Sequence, residues 1–317
     1  MKILVTGGMG FIGHYVVSQL EDLGHDVEVV DNLTDYGIIP ADELSMLIDE
    51  RSSKLSAICH LHAITSNTLE SVFRYFKPEL VIHLASFPRQ KVVNANPTLG
   101  AHTMIEGLLN LCELSCKHKV QRFVYVSSSM VYGDFQDGVN EYTFCKPQGH
   151  YAILKHAGEQ LVRDYAVSGR LDYTIVRPSA VYGPRDVKDR IVSTFFAAAM
   201  NDEILTVNGQ EEKLDFTYVE DAASGIVGAS LSKQAALRTY NIARGKSKTL
   251  LEAAELITRI VGKGKIEVTH KNENFPSRAS LNINAARNDF GYDPKIDIEE
   301  GFQKYYEYLK GHPFWDK

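Results

Sequence analysis

The chain has 317 residues, 44% of them hydrophobic and 23% charged, which supports a sizeable folded core and excludes a disordered chain. With 34 Lys and Arg against 40 Asp and Glu, the net charge of −6 argues against a nucleic-acid binder, which needs a basic face. No apolar run approaches ~18 residues, so no membrane span is expected; four scattered cysteines suggest neither a disulfide framework nor a metal site and fit a reducing cytoplasm.

Lys2–Val5 reads as a buried strand that ends in a glycine-rich turn, and Phe11–Leu23 as a helix stopped by Gly24. Met1 runs directly into that strand, so no secretory leader is expected. Strands follow at Val27–Val30, Leu80–Leu84, Arg122–Ser127 and Tyr173–Arg177. Between them lie helical stretches at Glu70–Phe76, Thr98–Cys116 and Tyr151–Ala166. This alternation predicts an α/β fold, a doubly wound parallel sheet of the Rossmann type. After Arg177 the pattern changes to helices at Ile191–Met200, Val219–Leu231, Leu250–Val261 and Glu299–Leu309, separated by short extended runs. We therefore expect a nucleotide-binding domain over 1–177 and a smaller α/β substrate lobe over 178–317, with some strand exchange and a ligand cleft between them.

The turn Gly7-Gly8-Met9-Gly10-Phe11-Ile12-Gly13 places glycines 7, 10 and 13 between a strand and a helix. They allow a tight turn, close approach of a pyrophosphate, and close packing of helix on strand, in that order. Helix N-terminal amides then face the phosphates. The second strand ends at Asp31, an acid placed to accept from ribose hydroxyls and to repel a 2′-phosphate, so NAD is the expected cofactor. Downstream, Tyr151 and Lys155 lie four apart on one helical face, after Ser127-Ser128-Ser129 at a strand end. A free phenol titrates near ~10, and a neighbouring ammonium favours the phenolate. Tyr151 is then expected to act as a base toward a substrate hydroxyl. Tyr306 and Lys310 repeat the spacing without such neighbours and read as a surface helix.

Together with Val81-Ile82-His83-Leu84-Ala85, Ser129-Met130-Val131-Tyr132-Gly133, Arg177-Pro178 and Val181-Tyr182-Gly183-Pro184, these motifs resemble the extended short-chain dehydrogenase/reductases of the NAD-dependent epimerase/dehydratase family. The resemblance implies catalysis by Ser128, Tyr151 and Lys155. It implies cofactor contacts at Gly7, Gly10, Phe11, Ile12, Gly13, Asp31, Asn32, Leu84, Ala85, Tyr151, Lys155 and Pro178. The implied reaction is oxidation at C4 of a nucleotide-diphosphate sugar, as a 4-epimerase or as a dehydrogenase releasing a 4-keto sugar, in a homodimer formed through the helices at Thr98–Cys116 and Tyr151–Ala166. A catalytically silent NAD sensor is the alternative outside enzymology. Substrate contacts are expected from Arg89, Ser129, Met130, Arg185, Arg190, Asn208 and Arg278, with no metal. Cys145 is expected near the sugar pocket. Several positions depart from the family: Met130 stands where 4,6-dehydratases carry a proton-transferring acid, which disfavours dehydration unless Glu141 substitutes. Ala63, Met104, Ala180 and Leu214 replace polar residues that commonly contact adenine or substrate.

Overall fold

Seven parallel strands form the central sheet, in the spatial order Arg238–Ile242, Asp172–Pro178, Arg122–Val126, Leu80–His83, Lys2–Thr6, Asp26–Asp31 and Ile58–Leu61. The computed structural model describes residues 1–35, 37–87, 90–273 and 275–315. Ile3-Leu4-Val5, Val81-Ile82 and Phe123-Val124-Tyr125 are buried almost completely. Such unbroken apolar runs are what a sheet covered by helices on both faces requires. The chain winds outward from Lys2–Thr6 to one edge, then returns to place Leu80–His83 on the other side. That reversal opens a crevice at the strands' carboxyl ends. Its floor is fixed by Leu84 N and Ala85 N, both donating to Thr6 O at 2.9 Å.

Two helices of the C-terminal part start and end where their sequences say they should. Thr249 and Glu252 form a reciprocal cap that starts Leu250–Val261, and Gly262 closes it at φ +81°. Asp297 accepts from Glu300 N to start Ile298–Leu309. The long stretch expected over Thr98–Cys116 is broken into Pro97–Ala101, a π-turn at His102–Glu106, and Gly107–Lys117. Residues of the C-terminal part build a separate aromatic core, in which Tyr182, Phe196, Phe216 and Tyr305 meet Phe302 or one another edge to face. A parallel pair, Ile204–Asn208 with Lys265–Thr269, lies beside that core.

Among the described residues, the sequence reading gave no range to the helices Ala41–Ser52, Gln90–Ala95 and Asn284–Phe290, the edge strand Ile58–Leu61, or the strands Ile204–Asn208, Arg238–Ile242 and Lys265–Thr269. Strand Arg238–Ile242 comes from the C-terminal half yet pairs with Asp172–Pro178. Among the described residues, no helix is long and apolar enough to cross a membrane.

Candidate active site

At the crevice, the glycine turn is packed to its limit. Gly7 sits at φ +75°, and a Cβ there would lie 2.6 Å from Ala85 N. A Cβ on Gly13 would lie 2.0 Å from Gly7 O. Only residues without side chains let the helix Gly13–Asp22 approach the strand this closely. Asp31 follows at the end of the second strand. Its two carboxylate oxygens accept from Met9 N at 3.0 Å and Leu33 N at 2.9 Å. Burial pushes its pKa up, opposed by those amides and by the Arg51 guanidinium. Each oxygen keeps a lone pair for a further donor. Gly7, Gly10, Phe11, Ile12, Gly13, Asp31, Asn32, Leu84, Ala85 and Pro178 all line one cavity of about 830 Å³. A turn stripped of Cβ atoms beside an acid with spare acceptor capacity fits an adenine dinucleotide lacking a 2′-phosphate.

The same cavity reaches Ser128, Ser129, Met130, Tyr151 and Lys155. Tyr151 is half-buried in the first turn of the helix His150–Val167, where the helix's positive end favours a developing negative charge. One turn further, Lys155 is buried and its Nζ donates to Val126 O at 2.8 Å. Burial pulls its pKa down to about 7, with Glu159 pulling the other way. Ser128 caps the short turn Ser129–Tyr132, its Oγ accepting from Met130 N at 3.2 Å. The hydroxyl proton therefore stays available to a ligand. Ser129 Oγ donates instead to Ser179 Oγ at 3.2 Å. Met104, buried at the π-turn, belongs to an apolar cluster against which Tyr151 and Leu154 pack. His83, by contrast, is a core residue: its Nδ1 lies 2.7 Å from Thr6 Oγ1, and burial lowers its pKa to about 3.

The far wing of the cavity is lined by residues of the C-terminal part, including Arg190, Asn208, Leu214, Phe275 and Arg278. Arg278 is held against the Lys213 backbone, and its buried Nε has no hydrogen-bond partner among the described residues. Burial lowers its pKa to about 10, opposed by Glu212. Arg190 contacts Asp186 at 3.0 Å and stacks 5.7 Å above the Phe11 ring of the glycine turn. Asn208 accepts from Thr269 Oγ1 at 2.9 Å.

Arg185 is a correction. At φ +65° its chain turns so that NH1 donates to Tyr15 OH at 3.0 Å, and the side chain does not line the cavity. Cys145 packs against the sheet's apolar core, also away from the cavity lining. Glu141 Oε1 accepts from Asn241 N at 2.8 Å, which places it outside the lining as well. Arg89 lies outside the described residues. Sequence reasoning overlooked Lys91 and Asp189, which line the cavity from opposite sides and approach to 3.8 Å. It also overlooked Glu212 and Lys271 at the far wing, which show no motif, only their closeness to Asn208 and Arg278.

Comparison with known proteins agrees with this geometry. The model of the NAD-dependent epimerase/dehydratase family matches residues 3–243. An uncharacterized UDP-glucose epimerase, YtcB, of Bacillus subtilis (strain 168) is 30% identical over 317 residues, covering 98% of both chains. The UDP-glucose 4-epimerase of Thermotoga maritima, solved with UDP-glucose, is 28% identical with a TM-score of 0.87, over 98% of this chain and 99% of that one. A UDP-glucuronic acid 4-epimerase from Bacillus cereus, solved with UDP-glucuronic acid and NAD, is 26% identical with a TM-score of 0.89, over the same shares. A glycine turn and a buried acid at one end of the cleft, a serine, tyrosine and lysine at its centre, and a family match over most of the chain lead to one conclusion: the chain belongs to the NAD-dependent epimerase/dehydratase family.

Proposed function

We propose that the protein is an NAD-dependent 4-epimerase of a UDP-sugar. One observation carries the reading: the cofactor turn, the Ser128, Tyr151 and Lys155 side chains, and a basic far wing all open onto a single cavity. The 1–177 half would hold NAD and the 178–317 lobe the nucleotide end of the substrate. Bound NAD would take hydride from the sugar's C4 and return it to the opposite face. Tyr151 removes the C4 hydroxyl proton as that bond to hydrogen breaks, and gives it back on re-reduction. Lys155 and the helix N-terminus stabilise negative charge on the phenolic oxygen. Ser128 donates to the same sugar oxygen and fixes its distance from Tyr151. Arg278, whose Nε has no hydrogen-bond partner among the described residues, offers its guanidinium to the diphosphate. Elimination of water is poorly served, because a methionine at position 130 transfers no proton and Glu141 is engaged elsewhere.

The test is incubation with UDP-glucose, UDP-galactose, UDP-glucuronate and their GDP and dTDP counterparts, followed by product NMR and absorbance at the NADH band. Inversion at C4 without net NADH is expected for at least one UDP-sugar. Tyr151→Phe should then lower kcat by about 10²–10⁴-fold, the usual contribution of a general base. Stoichiometric NADH with a 4-keto product would replace this reading by the dehydrogenase, and no conversion of any sugar would end it.

A further inference from the structure

Behind the catalytic residues lies a buried ionic network that the chemistry above does not use. Glu159 is fully buried, one helical turn beyond Lys155. Its Oε1 accepts from Arg177 Nε at 2.8 Å and its Oε2 from Arg177 NH2 at 2.6 Å, with Arg163 NH2 adding a third bond at 3.1 Å. Arg177 NH1 donates to Tyr132 OH, which donates in turn to Asn241 on the returning strand. A buried ion pair is a poor source of stability, because desolvation offsets most of its attraction. Its location is more informative. Ser127 Oγ donates to Glu159 Oε1 at 2.6 Å, and the preceding residue, Val126, receives Lys155 Nζ at 2.8 Å. Two consecutive residues at the strand end are thus bonded to two side chains one turn apart on the tyrosine helix. The next residue along the strand is Ser128.

We propose that Glu159 and Ser127 are positioning residues: the buried carboxylate, locked by Arg177, holds the Ser127 hydroxyl so that Ser128 and Tyr151 converge on one substrate oxygen. This rests on the reading of Ser128 and Tyr151 given above. Convergence of two groups on one atom tolerates little error, and a displacement near 1 Å costs about 10²-fold in rate. Besides the Lys155–Val126 bond, the strand end needs a second fixed point to register it against the neighbouring helix to that precision. The paired carboxylate supplies it, because Arg177 and Arg163 remove the freedom of Glu159 to follow Ser127.

The test is a double-mutant cycle on the full chain with NAD, using UDP-glucose and UDP-galactose as probes. Ser127→Ala leaves the Glu159–Arg177 pair intact. It is expected to lower kcat by about 10–100-fold, with KM and NAD affinity changed less than about threefold. Ser127→Thr, which keeps the hydroxyl, should stay within a few fold of the parent in kcat. Ser127→Ala combined with Ser128→Ala should be no slower than Ser128→Ala alone, because Ser127 acts only through its neighbour. A crystal structure of Ser127→Ala should show Ser128 Oγ displaced relative to Tyr151. Unchanged kcat, full additivity with Ser128→Ala, or an unmoved Ser128 overturns the proposal. If Tyr151→Phe and Ser128→Ala are themselves as active as the parent, the functional reading fails instead, and the crystallographic arm still decides whether the clamp sets the position of Ser128.

Discussion

Lys155 is buried where the fold has little means to solvate a charge. Burial lowers its pKa from 10.5 to about 7, so between those values the unfolded chain holds a proton that the folded chain has lost. Stability from this group therefore rises as pH climbs through that window, and the full cost is felt below about pH 7, where it amounts to roughly 5 kcal/mol. Lys155→Met should abolish turnover yet raise the Tm of the NAD-free protein, by more at pH 6 than at pH 9. Thermal melts at the two pH values check this; an equal effect at both would show that the lysine is not desolvated as its burial implies. The four-residue spacing from Tyr151 made Lys155 legible in the sequence. The same spacing, repeated to Glu159, was visible too, but its meaning depends on Arg177 and Ser127, which come from other strands. Arg185 was illegible for a related reason. A guanidinium shows charge in a sequence but no direction, and here a tyrosine 170 positions away takes it from the cleft.

At the level of elements, the glycine turn shows how sequence and geometry meet. Gly13→Ala would drive a methyl to 2.0 Å from Gly7 O, forcing helix and strand apart. Overpacking of this kind costs about 1–3 kcal/mol. The displaced amides should also weaken NAD binding at least tenfold. Gly24→Ala is the control, since Gly24 is left-handed at φ +77° but faces open space. That variant should lose some stability through backbone strain and keep its NAD affinity. Calorimetric titration with NAD separates the two, and equal affinity losses would deny the turn its special role. Buried strands and helices were readable because their signals are local: an apolar run, a helical period, a terminal glycine. The strand Ile58–Leu61 was missed because it is a short edge with partly exposed Cys59 and His60. The position of Arg238–Ile242 beside Asp172–Pro178 is set by pairing across some sixty residues, which no local pattern reveals.

For the whole molecule, the remaining question is what covers the outer face of the catalytic helix. Leu99, Leu109 and Ile153 are 41%, 37% and 49% exposed. They lie on Pro97–Ala101, Gly107–Lys117 and His150–Val167, neighbouring helical segments on one flank. Scattered exposed apolar residues need no explanation, but three on adjoining helices suit a self-complementary surface. Two copies meeting there would bury the backs of the helices whose fronts carry Tyr151 and support Met104. Each active site would then be braced by its neighbour. Light scattering should return about twice the 35.4 kDa chain mass. Leu109→Glu with Ile153→Glu should give monomers, since facing carboxylates on a symmetric contact repel each other. Because the helix fronts lose their support, kcat should fall in the monomer while NAD affinity, set on the far side of the sheet crevice, stays close to that of the parent. A parent protein that scatters as a single chain would refute the dimer and leave the cleft chemistry to stand on one subunit.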